Sequence, residues 1–135
     1  MKKTVEVIVE YAGDNLSAYI KDAPIVVVGK NMREIGEKTR EAVGLYLESC
    51  AELNVEPVQV LQGDLEFTFN VDTAAFINYY SNIFTKAALS RITGINERQI
   101  WHYAAGLHKP RRTQINKIET GIHELSSELS SIRVM

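Results

Sequence analysis

From Asp72 the hydrophobic period of this chain becomes helical and stays so, whereas ahead of it strands predominate around one helix, and that change constrains the fold more than any other feature. Ahead of it, apolar residues alternate, as strands require. Val5, Val7 and Val9 point one way between Thr4 and Tyr11, and Glu6, Ile8 and Glu10 point the other. Gly13-Asp14-Asn15 is a turn signal. Leu16 to Ile20 then reads as a second strand that closes a hairpin. Asp22-Ala23-Pro24 breaks it, and Ile25 to Val28 predicts a third strand, short and buried. Gly29-Lys30-Asn31 leads into a helix. Asn31 stands at its cap and Glu34 at the capping-box position. That helix carries one apolar stripe of Met32, Ile35, Ala42, Val43, Tyr46, Leu47, Cys50 and Leu53. Arg33, Glu37, Lys38, Arg40, Glu41 and Glu48 lie on its other face. A final strand runs from Leu65 to Val71, with Leu65, Phe67, Phe69 and Val71 on one side. The order β-β-β-α-β lays a single helix over a small sheet, the economical way to bury one face of each. The expected class is α+β, with residues 1–71 forming this module and residues 72–135 an all-helical one.

After Asp72 the period is helical throughout. Phe76, Ile77 and Tyr80 form one stripe. Residues 84–106, FTKAALSRITGINERQIWHYAAG, predict two short helices joined by a tight turn. Thr85 can cap the first, which runs from about Lys86 to Ile92. Gly94 sits where a helix must stop, since glycine reaches the left-handed backbone at little cost. Asn96 caps the second helix, and Gln99 follows at capping-box spacing. Ile95 and Ile100 flank that cap as a hydrophobic staple, and Gly106 ends the helix. This is the form of a helix-turn-helix, which can place its second helix in a major groove. A basic loop follows, His108-Lys109-Pro110-Arg111-Arg112. The last helix carries Ile115, Ile118, Ile122, Leu125, Leu129 and Ile132 in a heptad seam. Its front half can pack on the helix-turn-helix core, and its back half can pair with a second copy.

At 135 residues, 45% hydrophobic and 24% charged, the chain has the composition of an ordinary globular protein. No apolar run approaches the roughly 18 residues that span a bilayer. MKKTVEVIVEYAG alternates apolar with acidic residues and so reads as a strand rather than a signal peptide. The expectation is a cytoplasmic protein with no membrane partner. The single cysteine, Cys50, excludes an internal disulfide and a cysteine zinc cluster. The net charge of −2 hides an asymmetry. Residues 1–71 hold seven Lys/Arg against twelve Asp/Glu, a balance of −5, and residues 72–135 hold eight against five, a balance of +3. A basic rear suits phosphate contact, and an acidic front suits a basic protein partner.

Along its whole length the chain resembles the HicB-type antitoxins of bacterial type II toxin–antitoxin systems. VEVIVEYAGDNLSAYI and IVVVGKNMREIGEKTREAVGLYLE are similar to their small β-β-β-α-β domain, often described as a partial ribonuclease H fold. LSRITGINERQIWHYAAGLHKPRRTQINKIETGIHEL is similar to the lambda-repressor-like (Xre) helix-turn-helix that many of them carry. Leu89, Ser90, Thr93, Gly94, Ile95, Ile100 and Tyr103 fall on that motif's small, apolar and glycine positions, with Ser90 replacing the usual alanine. Asp22-Ala23-Pro24 stands where such front domains often have a proline-glycine turn. The resemblance implies that the front domain binds and covers a small HicA-like ribonuclease toxin. It further implies that the rear domain represses the shared operon by binding operator DNA, and that the chain is a homodimer or a higher homo-oligomer.

On the second helix of the motif, Glu97, Arg98, Trp101 and His102 are the candidates for base contact, while Ile100, Tyr103 and Ala104 face inward. Arg98 can make a bidentate contact to guanine. Thr85, Lys86, Asn96, Lys109, Arg111 and Arg112 are candidates for phosphate contact, which sets register without reading sequence. Each has a plainer reading: a solvated surface arginine, a half-buried tryptophan, a surface histidine, a solvated basic loop. Two-metal nucleases need carboxylates converging on ions about 4 Å apart. Glu6, Glu10, Asp14, Glu48, Asp64, Glu66 and Asp72 instead alternate along strand faces or ride the helix surface. The three histidines have no ligand spacing, and Cys50 lies in the apolar stripe as a small core side chain. No catalytic residue, metal site or cofactor is expected. Two rivals share these features: a stand-alone transcription regulator whose front domain senses a small ligand, and a nuclease that uses the ribonuclease-H-like front.

Overall fold

A computed structural model describes residues 1–11 and 13–135. The chain is α+β and divides into two compact units, Met1–Asp72 and Thr73–Met135.

The first unit follows from strict alternation. Strands β1 (Lys3–Tyr11), β2 (Leu16–Ile20) and β3 (Ile25–Gly29) form an antiparallel meander. Helix α1 (Met32–Glu52) leads across to β4 (Leu65–Val71), which pairs with β1 in parallel, giving the order β3-β2-β1-β4. One sheet face supplies Val5, Val7, Val9, Leu16, Ala18, Ile20, Ile25 and Val27 to the core, and α1 adds Ile35, Val43 and Cys50. The helix approaches β3 closely at Gly29, where a Cβ atom would lie 3.2 Å from the Ile35 backbone nitrogen. Asn31 caps α1 as expected, its Oδ1 accepting from the Glu34 N–H at 2.8 Å. The Glu34 carboxylate pairs with Lys38 at 3.1 Å. The Lys38 hydrogen bond holds the Glu34 carboxyl below its usual value. Lys38 also donates to the Val28 carbonyl at 2.9 Å, which ties the first turns of α1 to β3. Arg40 lies over Phe67 and Phe69, with ring centroids 5.8 and 5.6 Å from its guanidinium carbon, and so covers the half-buried side of β4.

Two expectations need correction here, and two further features escape the sequence pattern. The third strand is not buried throughout: Val26 is 74% exposed and Val28 51%, because α1 covers only one face of the sheet and these two side chains lie on the other. Leu53 falls past the end of α1 and is exposed, so it leaves the apolar stripe. Thr39 takes a core position instead and is fully buried. A short 3-10 turn at Gln59–Leu61, which the sequence pattern did not reveal, drives Leu61 into the same core.

The second unit packs α2 (Thr73–Tyr79), α3 (Lys86–Thr93), α4 (Glu97–Ala104) and α5 (Arg112–Ser130), with a 3-10 turn at Tyr80–Asn82 after α2. Its core is Ile77, Leu89, Ile95, Ile100, Tyr103 and Ile118, flanked by Phe76, Phe84, Ile92 and Ala104. Helices α3 and α5 meet at Gly121, where any Cβ atom would stand 2.4 Å from the Ile92 carbonyl oxygen. The heptad seam of α5 divides accordingly. Ile118 is buried in the core, whereas Leu129 and Ile132 are exposed, and the helix ends before Ile132.

The Thr39 hydroxyl oxygen is buried with no hydrogen-bond partner. A buried polar atom left unpaired costs about 1–3 kcal/mol. The nearly isosteric Thr39→Val change removes that atom and should raise stability by about 1 kcal/mol in urea denaturation. An unchanged or lower midpoint would mean that the hydroxyl is satisfied in solution.

Candidate nucleic-acid interface

The helix-turn-helix is built from its turn outward. Thr85 caps α3, its Oγ1 accepting from the Ala88 N–H at 3.0 Å. Gly94 ends the helix at φ +76°, the left-handed conformation that glycine tolerates best. The turn is then locked by two hydroxyls. Ser90 Oγ donates to the Ile95 carbonyl at 2.6 Å. Thr93 Oγ1 donates to the Leu89 carbonyl at 2.7 Å and accepts from the Ile95 N–H at 3.2 Å. Ser90 therefore makes a bond across the turn, which its size alone does not reveal. Ile95 and Ile100 are both buried and staple the start of α4 to the core. Asn78 on α2 donates to the Ala104 carbonyl at 2.9 Å and secures the other end of α4.

The cap of α4 differs from the expected capping box. Asn96 Oδ1 accepts from the Arg98 N–H at 2.8 Å, one residue earlier than the box requires. Gln99 does not return to Asn96; its amide nitrogen lies 3.5 Å from His108 Nδ1. Gln99 and His108 thus join the polar neighbourhood of the site, and the sequence pattern gave neither that place. Their pairing depends on how the loop after α4 folds back, which spacing does not encode.

The four residues expected to face bases separate into two sets. Glu97, Arg98 and Trp101 are exposed on α4, with Trp101 at 55%, while Ile100 and Tyr103 on the opposite side are 1% and 4% exposed. His102 is only half exposed. His108 packs edge-on against it at 4.7 Å between ring centroids, and the Nδ1 of His102 is buried without a partner. Of the residues expected at phosphates, Lys86 lies against Trp101, its ammonium 4.3 Å from the ring centroid, which joins the start of α3 to the outer face of α4. Asn96, Lys109 and Arg111 line one open cavity of about 730 Å³ together with Gln99, His108 and Thr113. Arg112 is exposed at the first position of α5, and Thr85 is exposed at the N-cap of α3. The N-terminus of α5 has no side-chain cap at Arg111, so its first N–H groups are open to an acceptor.

In chemical terms the site offers a guanidinium and an indole at the centre of a short exposed helix. A lysine lies at one flank and a lysine–arginine pair at the other. Among the described residues, no group of three or more His, Cys, Asp or Glu could hold a metal ion, and no helix is long and apolar enough to cross a membrane.

Ser90→Ala leaves the buried Ile95 carbonyl without its donor. The change should lower thermal stability by about 1 kcal/mol and speed amide exchange at the start of α4; unchanged exchange there would mean that the hydroxyl does not secure the turn. Compared with known proteins, the chain matches no family model, no curated relative and no solved structure.

Proposed function

We propose that this protein is an autoregulatory antitoxin of the HicB type. In this account the first unit binds and neutralises a small, basic, HicA-like ribonuclease. The second unit represses the shared operon in the cytoplasm by sequence-specific DNA binding, as a homodimer or higher homo-oligomer. The observation that carries the proposal is the two-sided character of α4. Ile100 and Tyr103 anchor it from beneath, and Arg98 and Trp101 project from the opposite side. An exposed helix with cationic flanks suits a major groove, with Arg98 reading guanine and Lys86, Lys109 and Arg111 on the phosphates.

An oligomer is supported by a second surface of the same unit. Phe76, Tyr80 and Phe84 with Ile122, Leu125 and Leu129 line an open groove of about 530 Å³. Burial, more than the neighbouring Tyr79, pushes the Tyr80 phenol above its ordinary pKa. A second copy laid along this groove would complete the seam that α5 leaves half covered. Two such units held at one-turn spacing would bind a palindromic operator far more tightly than either alone.

Expressing the chain with the product of its neighbouring reading frame should give a stable complex that retards promoter DNA; a chain that binds neither partner contradicts the proposal. Arg98→Ala should weaken promoter binding by roughly 1–3 kcal/mol and scrambled DNA by much less. Equal weakening would mean that Arg98 reads no base. Lys109→Ala should weaken both DNAs alike and reduce the log–log salt slope by about one, whereas an unchanged slope would remove Lys109 from the phosphates.

A further inference from the structure

The sheet of the first unit has a second face, and α1 does not cover it. Every residue on that face is exposed or half-exposed: Thr4, Glu6, Ile8 and Glu10 on β1, Ser17 and Tyr19 on β2, Val26 and Val28 on β3, and Glu66, Thr68 and Asn70 on β4. Strand register arranges them in rows. Ile8 is paired with Tyr19, and Tyr19 with Val26, so three apolar side chains lie side by side across three strands. At about 4.8 Å between strands this bar is roughly 10 Å long. Val26 is 74% exposed and Tyr19 38%. Glu6 and Glu10 lie two residues either side of Ile8 on β1, so acid flanks the bar above and below. Glu66 adds a third carboxylate beside Thr4, whose Oγ1 donates to it at 3.2 Å. The four strands place no lysine or arginine on this face.

We infer that this open sheet face is where a basic protein partner docks, with an aliphatic or aromatic side chain on the Ile8–Tyr19–Val26 bar and Lys or Arg against Glu6, Glu10 and Glu66. Apolar centres rimmed by charge are the usual form of a docking patch. Charge sign selects the occupant. Nucleic acid is repelled by three carboxylates. A second copy of the same face would set those carboxylates against each other, a juxtaposition that costs several kcal/mol. The outer face of α1 is also acidic, with Glu37, Glu41, Glu48 and Glu52, but it has no apolar row, Leu45 being its one exposed large hydrophobic residue, and Arg33 offsets part of its charge. This inference rests on the antitoxin proposal for the identity of the partner, and adds the surface that the partner covers.

The experiment compares two triple charge reversals in the full chain. One is Glu6→Lys/Glu10→Lys/Glu66→Lys on the sheet face. The other is Glu41→Lys/Glu48→Lys/Glu52→Lys on the exposed side of α1, which changes net charge equally. Val26→Asp serves as a third variant that leaves all three glutamates in place. The product of the neighbouring reading frame is titrated into each by calorimetry, and circular dichroism confirms that each is folded. The sheet-face reversal and Val26→Asp should each weaken binding at least tenfold, and the helix-face reversal should not. Loss on the helix-face reversal with retention on the sheet face would overturn the inference while leaving the antitoxin proposal standing. A wild-type chain that fails to bind the neighbour's product would sink the antitoxin proposal itself. Conversion of the free chain from oligomer to monomer by Val26→Asp would show that a second copy occupies the face, and would overturn the inference.

Discussion

Everything that α4 can present outward depends on what holds it from below. Ile95, Ile100 and Tyr103 are pinned against Leu89, Ile77 and Ile118 in one small core. That core closes only because α3 and α5 come within backbone distance of each other at Gly121, where a side chain would strike the Ile92 carbonyl. With so few residues, each buried side chain carries a large share of the unit's stability. The same packing fixes the turn between α3 and α4, through Ser90, Thr93 and the left-handed Gly94. The outward direction of Arg98 and Trp101 is therefore a consequence of apolar burial on the far side of one helix.

The two units meet the burial problem differently. In the first, alternation supplies one apolar sheet face, and a single helix with a capped start covers it. One face is left uncovered, and it carries exposed valines beside glutamates. In the second, three short helices and the longer α5 enclose a core but leave the rear half of α5 half covered. Both units thus carry surface that their own cores do not use. The sheet face is acidic through Glu6, Glu10 and Glu66, whereas the rear of α5 exposes apolar Leu129, so the two surfaces differ in chemistry.

Much of the fold is legible in the sequence, because it follows from local periodicity. The strand faces of β1 and β2, the caps at Asn31 and Thr85, the stop at Gly94 and the inward set on α4 all follow from spacing and from the stereochemistry of single residues. What escapes is set by approach between distant segments. Gly121 reads as an ordinary helix residue until α3 lies against it. Val26 and Val28 look buried until one face of the sheet proves to be left uncovered by α1. Gln99 has capping-box spacing, yet its side chain turns toward His108, because the loop after α4 offers it a competing partner. His102 lies near the outward direction of α4 by helical period, but the same loop packs His108 against it.

The chain contains one tryptophan, and it lies on the outer face of α4 with a lysine across its ring. Trp101 fluorescence therefore reports directly on whether that face meets a duplex. Titration with the promoter of the chain's own gene should change the emission saturably, protect Trp101 from acrylamide, and be reversed by salt. Promoter binding that leaves Trp101 as open to acrylamide as in the free protein, or no binding at all, would contradict a role for this helix in reading DNA.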